Sequence, residues 1–298
     1  MPRPGLSLLG FMDEQLAMAY LQKWSLLSEQ DRTPEGMRRI WKEAKAKVGK
    51  PLPRPGKPQI QPLLQKYHPY LEEVMKNPAF QLTIRDFQKF GFMMVEIDPL
   101  LAFQFHILTD EADKFGQTIN QNPTMEDMLA LCLPRGVTYP DYQVILTQNG
   151  VTIRAQDLTL TVPEYGVFQK FPDGQLRVAG MVIGSSPFLQ VVQINRRCYL
   201  RNGFHRAYAL AKKGATHMPC LFLETDNYAR VGVLGAGATF ERSVLESAVP
   251  PAIGYFTQEK AYQISIKHFK RIINVMWNQY EIEADEAHTE SLDNQVEP

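Results

Sequence analysis

The chain is expected to fold as an α+β protein, because helical and strand-like segments follow one another without the regular alternation of a parallel α/β domain. Residues 13–48 are rich in Leu, Met, Ala, Glu, Lys and Arg, side chains that lose little freedom in a helix. Short apolar runs at 92–97 and 219–223, bounded by turn residues, read as buried strands. Residues 142–146, 150–161 and 262–282 carry the β-branched or alternating pattern of further strands.

Taken in order, the leading stretch divides into two helices at Thr33-Pro34-Glu35-Gly36, where Thr33 is placed to cap and Pro34 to occupy the first helical position. Gly49, Pro51, Pro53, Pro55, Gly56 and Pro58 then break the chain into an extended linker, and 60–76 is expected to be a helix. The strand 92–97 ends at Asp98-Pro99, and helices are expected near 110–118 and 125–133. Residues 162–187 are rich in turn formers and take no assignment. Strands at 191–194 and 198–200 flank the polar Asn195-Arg196-Arg197 turn; a helix at 205–213 stops at Gly214. The last residues, 281–298, hold seven acidic side chains and no apolar pattern, so disorder is expected there.

This organisation predicts an N-terminal helical extension with its linker (1–91), a main α+β domain (92–225), a strand-containing extension (226–280) and an acidic tail (281–298). The 298 residues are 44% hydrophobic and 21% charged, and 32 basic residues balance 32 acidic ones. A role that needs a strongly basic chain is therefore excluded, and any nucleic-acid contact must rest on a local patch. Three scattered cysteines, Cys132, Cys198 and Cys220, argue against a disulfide framework and for a reducing compartment. With no signal-peptide pattern at the start and no apolar run of about 18 residues, the expectation is a cytoplasmic protein with no membrane partner.

The chemistry concentrates in Asn202-Gly203-Phe204-His205-Arg206, a turn between a strand and a helix. The first N–H groups of a helix lack internal acceptors and, with the helix dipole, favour an anion. Gly203 would let a phosphate approach the backbone, Arg206 offers a charged planar fork, and His205 is the candidate acid–base group. The alternative is that His205 and Arg206 cap or pack and the turn is structural.

Residues 199–214, with 218–222 after them, resemble the core signature of the ParB/sulfiredoxin-like superfamily: a hydrophobic strand, Asn202-Gly203, a His-Arg pair, an alanine-rich helix, Gly214, and a strand entered through Pro219. Val95-Glu96-Ile97-Asp98-Pro99-Leu100-Leu101-Ala102-Phe103-Gln104 is similar to the opening strand and loop of the same family. The resemblance implies a mixed α/β core over about 92–225 with a long insertion. It implies a nucleotide whose phosphates rest on the glycine turn and its arginine, ATP in sulfiredoxin and CTP in ParB clamps, with Mg²⁺. By position those contacts fall on Asn202, Gly203, His205 and Arg206. Gly184, Ser185 and Ser186 form a small-residue loop that could add donors to the same anion site, and Gln104 and Gln190 are candidates for reading a base or polar substrate edge.

Departures from the family narrow the chemistry. Phe204 stands where sulfiredoxin needs its catalytic cysteine, so sulfinic-acid repair is not expected; neither the Glu-Asn-x-x-Arg motif of ParB clamps nor their helix-turn-helix reader has a good copy. Residues 231–240 imitate a dinucleotide fingerprint, but Phe240 takes the place of its third glycine. His217, Cys220, Cys198 and His205 lack zinc-ligand spacing, so no metal is expected. Lys260, Lys267, His268, Lys270 and Arg271, interleaved with Tyr262, Phe269 and Trp277, could make a nucleic-acid-binding strand face or an ordinary half-buried sheet. The function expected is binding of a nucleotide or other phosphorylated ligand, with a regulatory role. A scaffold that recruits a partner and a ParB-like nuclease are the alternatives, and whether any reaction is catalysed stays open.

Overall fold

The structure is a computed structural model and describes residues 2–49, 55–136, 142–148, 150–155, 161–170, 176–183, 186–231, 239–257 and 260–276. It is mixed α+β. Strand β1 (Arg3–Ser7) leads through a short turn into α1 (Glu14–Trp24), whose N-terminus is capped by the Asp13 carboxylate accepting from the Leu16 N–H. Helix α2 (Pro34–Val48) starts as expected, with Thr33 accepting from the Gly36 N–H and Pro34 at the first helical position.

The expected helix at 60–76 is corrected. Residues Ile60–Pro62 form an edge strand, β2, antiparallel to the C-terminal half of the following strand, and α3 begins only at His68 (His68–Met75). Pro62 has no N–H to continue a helix but is tolerated at a sheet edge, and Pro69 suits a helix start. Asn77 then caps α4 (Pro78–Ile84).

Next come β3 (Lys89–Glu96), β4 (Leu101–Ala102) and β5 (His106–Leu108), then α5 (Thr109–Gln117) and α6 (Met125–Cys132), the latter closed by a reciprocal Thr124–Asp127 capping box. Strands β6 (Tyr142–Thr147), β7 (Gly150–Ala155), β8 (Thr161–Lys170) and β9 (Leu176–Ile183) fill the long insertion, including most of the segment that sequence left unassigned. The signature region supplies β10 (Gln190–Ile194), β11 (Arg197–Asn202), α7 (Phe204–Lys212) and β12 (His217–Glu224). Two short helices, α8 (Arg242–Leu245) and α9 (Gly254–Thr257), precede β13 (Tyr262–Ile266) and β14 (Arg271–Met276).

The central sheet has six strands in the order β2-β3-β12-β10-β11-β4, with β10 parallel to β12, β11 parallel to β4 and the other pairs antiparallel. A second, antiparallel sheet, β13-β1-β5, joins both ends of the described chain. Leu8, Leu9, Tyr20 and Trp24 from the leading segment share one hydrophobic core with Val192, Leu200, Leu210 and Leu221, so residues before 92 are packed into the main body. Strands β14-β7-β6 form a third sheet and β8-β9 a fourth. No helix among the described residues is long and apolar enough to cross a membrane.

Candidate functional site

The strand β11 ends at Asn202, and the chain turns on Gly203 directly into α7. Gly203 has φ +100°, a left-handed conformation that a Cβ disfavours, and a Cβ built there would lie 2.7 Å from the Leu189 side chain. Leu189 therefore occupies the space beside the glycine. At its other end α7 closes in a Schellman motif: Gly214 at φ +91° donates to the Ala211 carbonyl, and the Ala215 N–H reaches the Leu210 carbonyl.

The polar side chains of the turn point largely inward. The Asn202 amide donates to the carbonyls of Ser186 (2.6 Å) and Phe188 (3.1 Å), and the Arg206 guanidinium donates to the carbonyl of Pro187 between them and to that of Leu131 at 3.2 Å. Three consecutive carbonyls of an irregular segment thus find donors that no sheet ladder supplies, which is the demand on any buried backbone. Arg206 is buried, and burial lowers its pKa, with the Cys132 thiol nearby acting in the opposite direction. Its fork, expected to hold phosphate, is turned toward the protein backbone.

His205 is half-buried, and its Nε2 accepts from the Leu108 N–H at 3.0 Å. In the neutral ring the proton then sits on Nδ1. Burial pushes the pKa down to about 4, with Glu111 and Asp110 opposing the fall and Arg3 and Arg206 adding to it. Its neighbour His106, in β5, is likewise held neutral by burial, down to about 4, and its Nδ1 has no partner among the described residues. At neutral pH His205 can therefore donate from Nδ1 but cannot take a proton at the committed Nε2. Phe204 is buried edge-to-face against Phe103 at 5.3 Å.

The remaining expected residues separate. Ser186 lies next to the turn, but its hydroxyl pairs with that of Thr83 at 3.0 Å; Gly184 and Ser185 lie outside the described residues. Gln190 is fully buried: its Oε1 accepts from Arg201, and its Nε2 has no partner among the described residues. Gln104 is half-buried in an isolated bridge to Thr239, one residue from the Phe103 ring that covers Phe204.

No protein-family model, curated protein or solved structure matches the chain. The superfamily resemblance therefore rests on the residues that carry it.

The other signals fall as follows. Residues 232–238 of the fingerprint-like stretch, Trp277 and the acidic tail lie outside the described residues. The basic-aromatic strand face does not assemble as one surface: Tyr262 donates its hydroxyl to Glu43, Lys267 reaches the Gln22 carbonyl, and Phe269 packs edge-on against Trp24. The three cysteines are buried free thiols, and burial pushes the Cys132 thiol up to about 12. Among the described residues no group of His, Cys, Asp and Glu is placed to hold a metal. Sequence reasoning missed Leu189, Leu108 and the acceptor role of the Pro187 carbonyl, because each acts through backbone or packing and carries no chemical signature of its own.

Proposed function

We propose that this chain is a ParB/sulfiredoxin-like protein that binds a nucleotide or another phosphorylated ligand at the N-terminus of α7, as a cytoplasmic, ligand-dependent regulator. The observation that carries the reading is the way this helix begins. Helices α1, α2, α4 and α6 are each capped by a side-chain oxygen, whereas α7, like α3 and α8, has no side-chain cap and no acidic residue in its first turn, and of these three α7 alone starts on a left-handed glycine, Gly203. His205 and Arg206 stand there instead, against the preference of the helix dipole for negative charge. An anion would complement the dipole and the first-turn N–H groups, while the Arg206 fork stays on the Pro187 and Leu131 carbonyls. In this reading Arg206 and Asn202 hold the 186–188 segment in place, and His205 Nδ1–H with the first-turn N–H groups meets the phosphate. ATP or CTP with Mg²⁺ are the ligands to try first, given the signature at 199–214.

The test is thermal denaturation of the full chain with ATP, CTP and GTP, each with Mg²⁺, alongside amide NMR shifts of Phe204, His205 and Arg206. A ligand specific for the folded state raises the midpoint and moves those amides. If no nucleotide does either, the reading fails.

A second reading, partner recruitment, draws on the β14-β7-β6 sheet. The cross-strand pairs Val144–Ile153, Leu146–Val151, Ile273–Ile153 and Val275–Val151 place one apolar face together, and Val144 and Leu146 on it are exposed. Leu146→Lys should abolish any association that raises the sedimentation coefficient with concentration; a coefficient independent of concentration in the unsubstituted chain argues against it.

A further inference from the structure

At the opposite end of β11 from the glycine turn, roughly 17 Å away at strand spacing, lies a cleft of about 420 Å³. Its lining brings together the linker before edge strand β2, the approach to edge strand β4, the β10–β11 turn and Pro250. Lys57, Arg196 and Arg197 all face it, and its described lining holds no carboxylate and no aromatic ring. None of the three cations has a carboxylate within ion-pair distance among the described residues, whereas several arginines elsewhere do, such as Arg3 with Asp110 and Arg230 with Asp86.

Two details bear on the hairpin cations. Arg197 donates to the carbonyls of Leu245 (2.8 Å) and Glu246 (3.3 Å), which fixes its guanidinium and leaves three of its five N–H donors without an acceptor among the described residues. Asn195 and Arg196 both take left-handed backbone, φ 49° and 65°, as the central pair of a tight hairpin. Asparagine suits the first of these positions. The second is the place for glycine, so an exposed arginine there bears a strain that the turn itself does not require. Pro55, Pro58, Pro99 and Pro250 wall the cleft with rigid apolar surface that offers no N–H donor.

We infer that this cleft is a second binding site, for a compact organic or inorganic polyanion such as a polyphosphate or polycarboxylate of small-molecule size. One fixed and two exposed cations around an apolar, donor-poor wall select charge at one end and compactness at the other. The absence of an aromatic platform in the described lining disfavours a stacked base. This site is independent of the α7 turn.

The experiment is calorimetric titration of the full chain with inorganic pyrophosphate and, separately, citrate, at constant ionic strength. It is then repeated with Arg196→Gly and with Arg196→Gly/Lys57→Gln. Glycine relieves the strained backbone, so these variants fold at least as well and their midpoints of thermal unfolding verify it. The expected result is saturable binding of at least one probe, weakened at least ~10-fold by Arg196→Gly and further in the double variant. Binding of pyrophosphate alone names a phosphate site, and binding of citrate assigns carboxylates. The proposal is overturned if neither probe binds or if the double variant binds as tightly as the parent.

Discussion

The two ends of β11 carry the same kinds of side chain in opposite circumstances. At the C-terminal end, Asn202 and Arg206 turn inward and donate to the carbonyls of Leu131, Ser186, Pro187 and Phe188. At the N-terminal end, Asn195 and Arg196 are exposed on a left-handed hairpin turn, and Arg197 is only half-buried. What separates them is the backbone nearby. The segment 186–188 enters the sheet as irregular chain with carbonyls that need donors, whereas β10 and β11 pair with each other right up to their hairpin and need none. An arginine in a conspicuous motif can thus be spent on the protein's own backbone, while one in an unremarkable turn stays available.

The largest effect that would break this contrast is expected for Arg206→Leu. Removing a buried guanidinium strands the Leu131 and Pro187 carbonyls, and the loss should be about 3–5 kcal/mol in urea denaturation. A variant that unfolds with the parent would show that the inward bonds carry little and that the fork is free to serve a ligand.

Lowering the pH should loosen the same end. His205 and His106 have folded pKa values near 4, below the 6.5 of a free imidazole. Between pH 6.5 and about 4 the unfolded chain binds more protons than the folded one, so their neutral-state stability is complete above 6.5 and is lost as pH falls toward 4. The share of each is at most about 3 kcal/mol. His205→Gln keeps an acceptor for the Leu108 N–H but cannot titrate, so its midpoint should fall less steeply over this window. Parallel pH curves for variant and parent would remove His205 from the account.

Gly203→Ala comes next, at about 2 kcal/mol. A Cβ at φ +100° is strained in itself, and here it must also displace Leu189 from 2.7 Å. Differential scanning calorimetry measures the loss. A neutral outcome would mean that Leu189 yields readily and that the glycine is kept for an approaching ligand.

Much of the fold was legible where local chemistry and tertiary structure agree. Thr33-Pro34, Gly214 and the apolar run at 219–223 carry their signals within a few residues, and the elements they predict are present. Legibility ended where distant partners decide. Ile60–Pro62 became a strand because β3 offers it an edge, and β1 is set between β5 and β13, strands that lie far along the chain from it. The turn at 202–206 was located correctly as a strand-to-helix junction. The direction of its side chains was not legible, because it depends on the unpaired carbonyls of 186–188. The cationic cleft left almost no trace, since Lys57 and Arg196-Arg197 belong to segments 139 residues apart (196 − 57).

Arg196→Gly is the smallest of these effects and the most discriminating, because the two readings of the hairpin agree on stability and differ on binding. If Arg196 is only a tolerated residue, glycine at φ 65° should leave the unfolding midpoint unchanged or raise it by the equivalent of about 0.5–1 kcal/mol, and nothing else should change. If the arginine is retained for an anion, the same gain in stability should accompany a loss of affinity for pyrophosphate or citrate. A fall in stability would mean that Arg196 makes a contact that supports the fold, and the strain would then no longer argue for a ligand. Stability and binding moving in opposite directions at one residue is what distinguishes a side chain kept for a ligand from one kept for the backbone, and Arg206 should show no such split, because any ligand it helps to place is lost together with the fold.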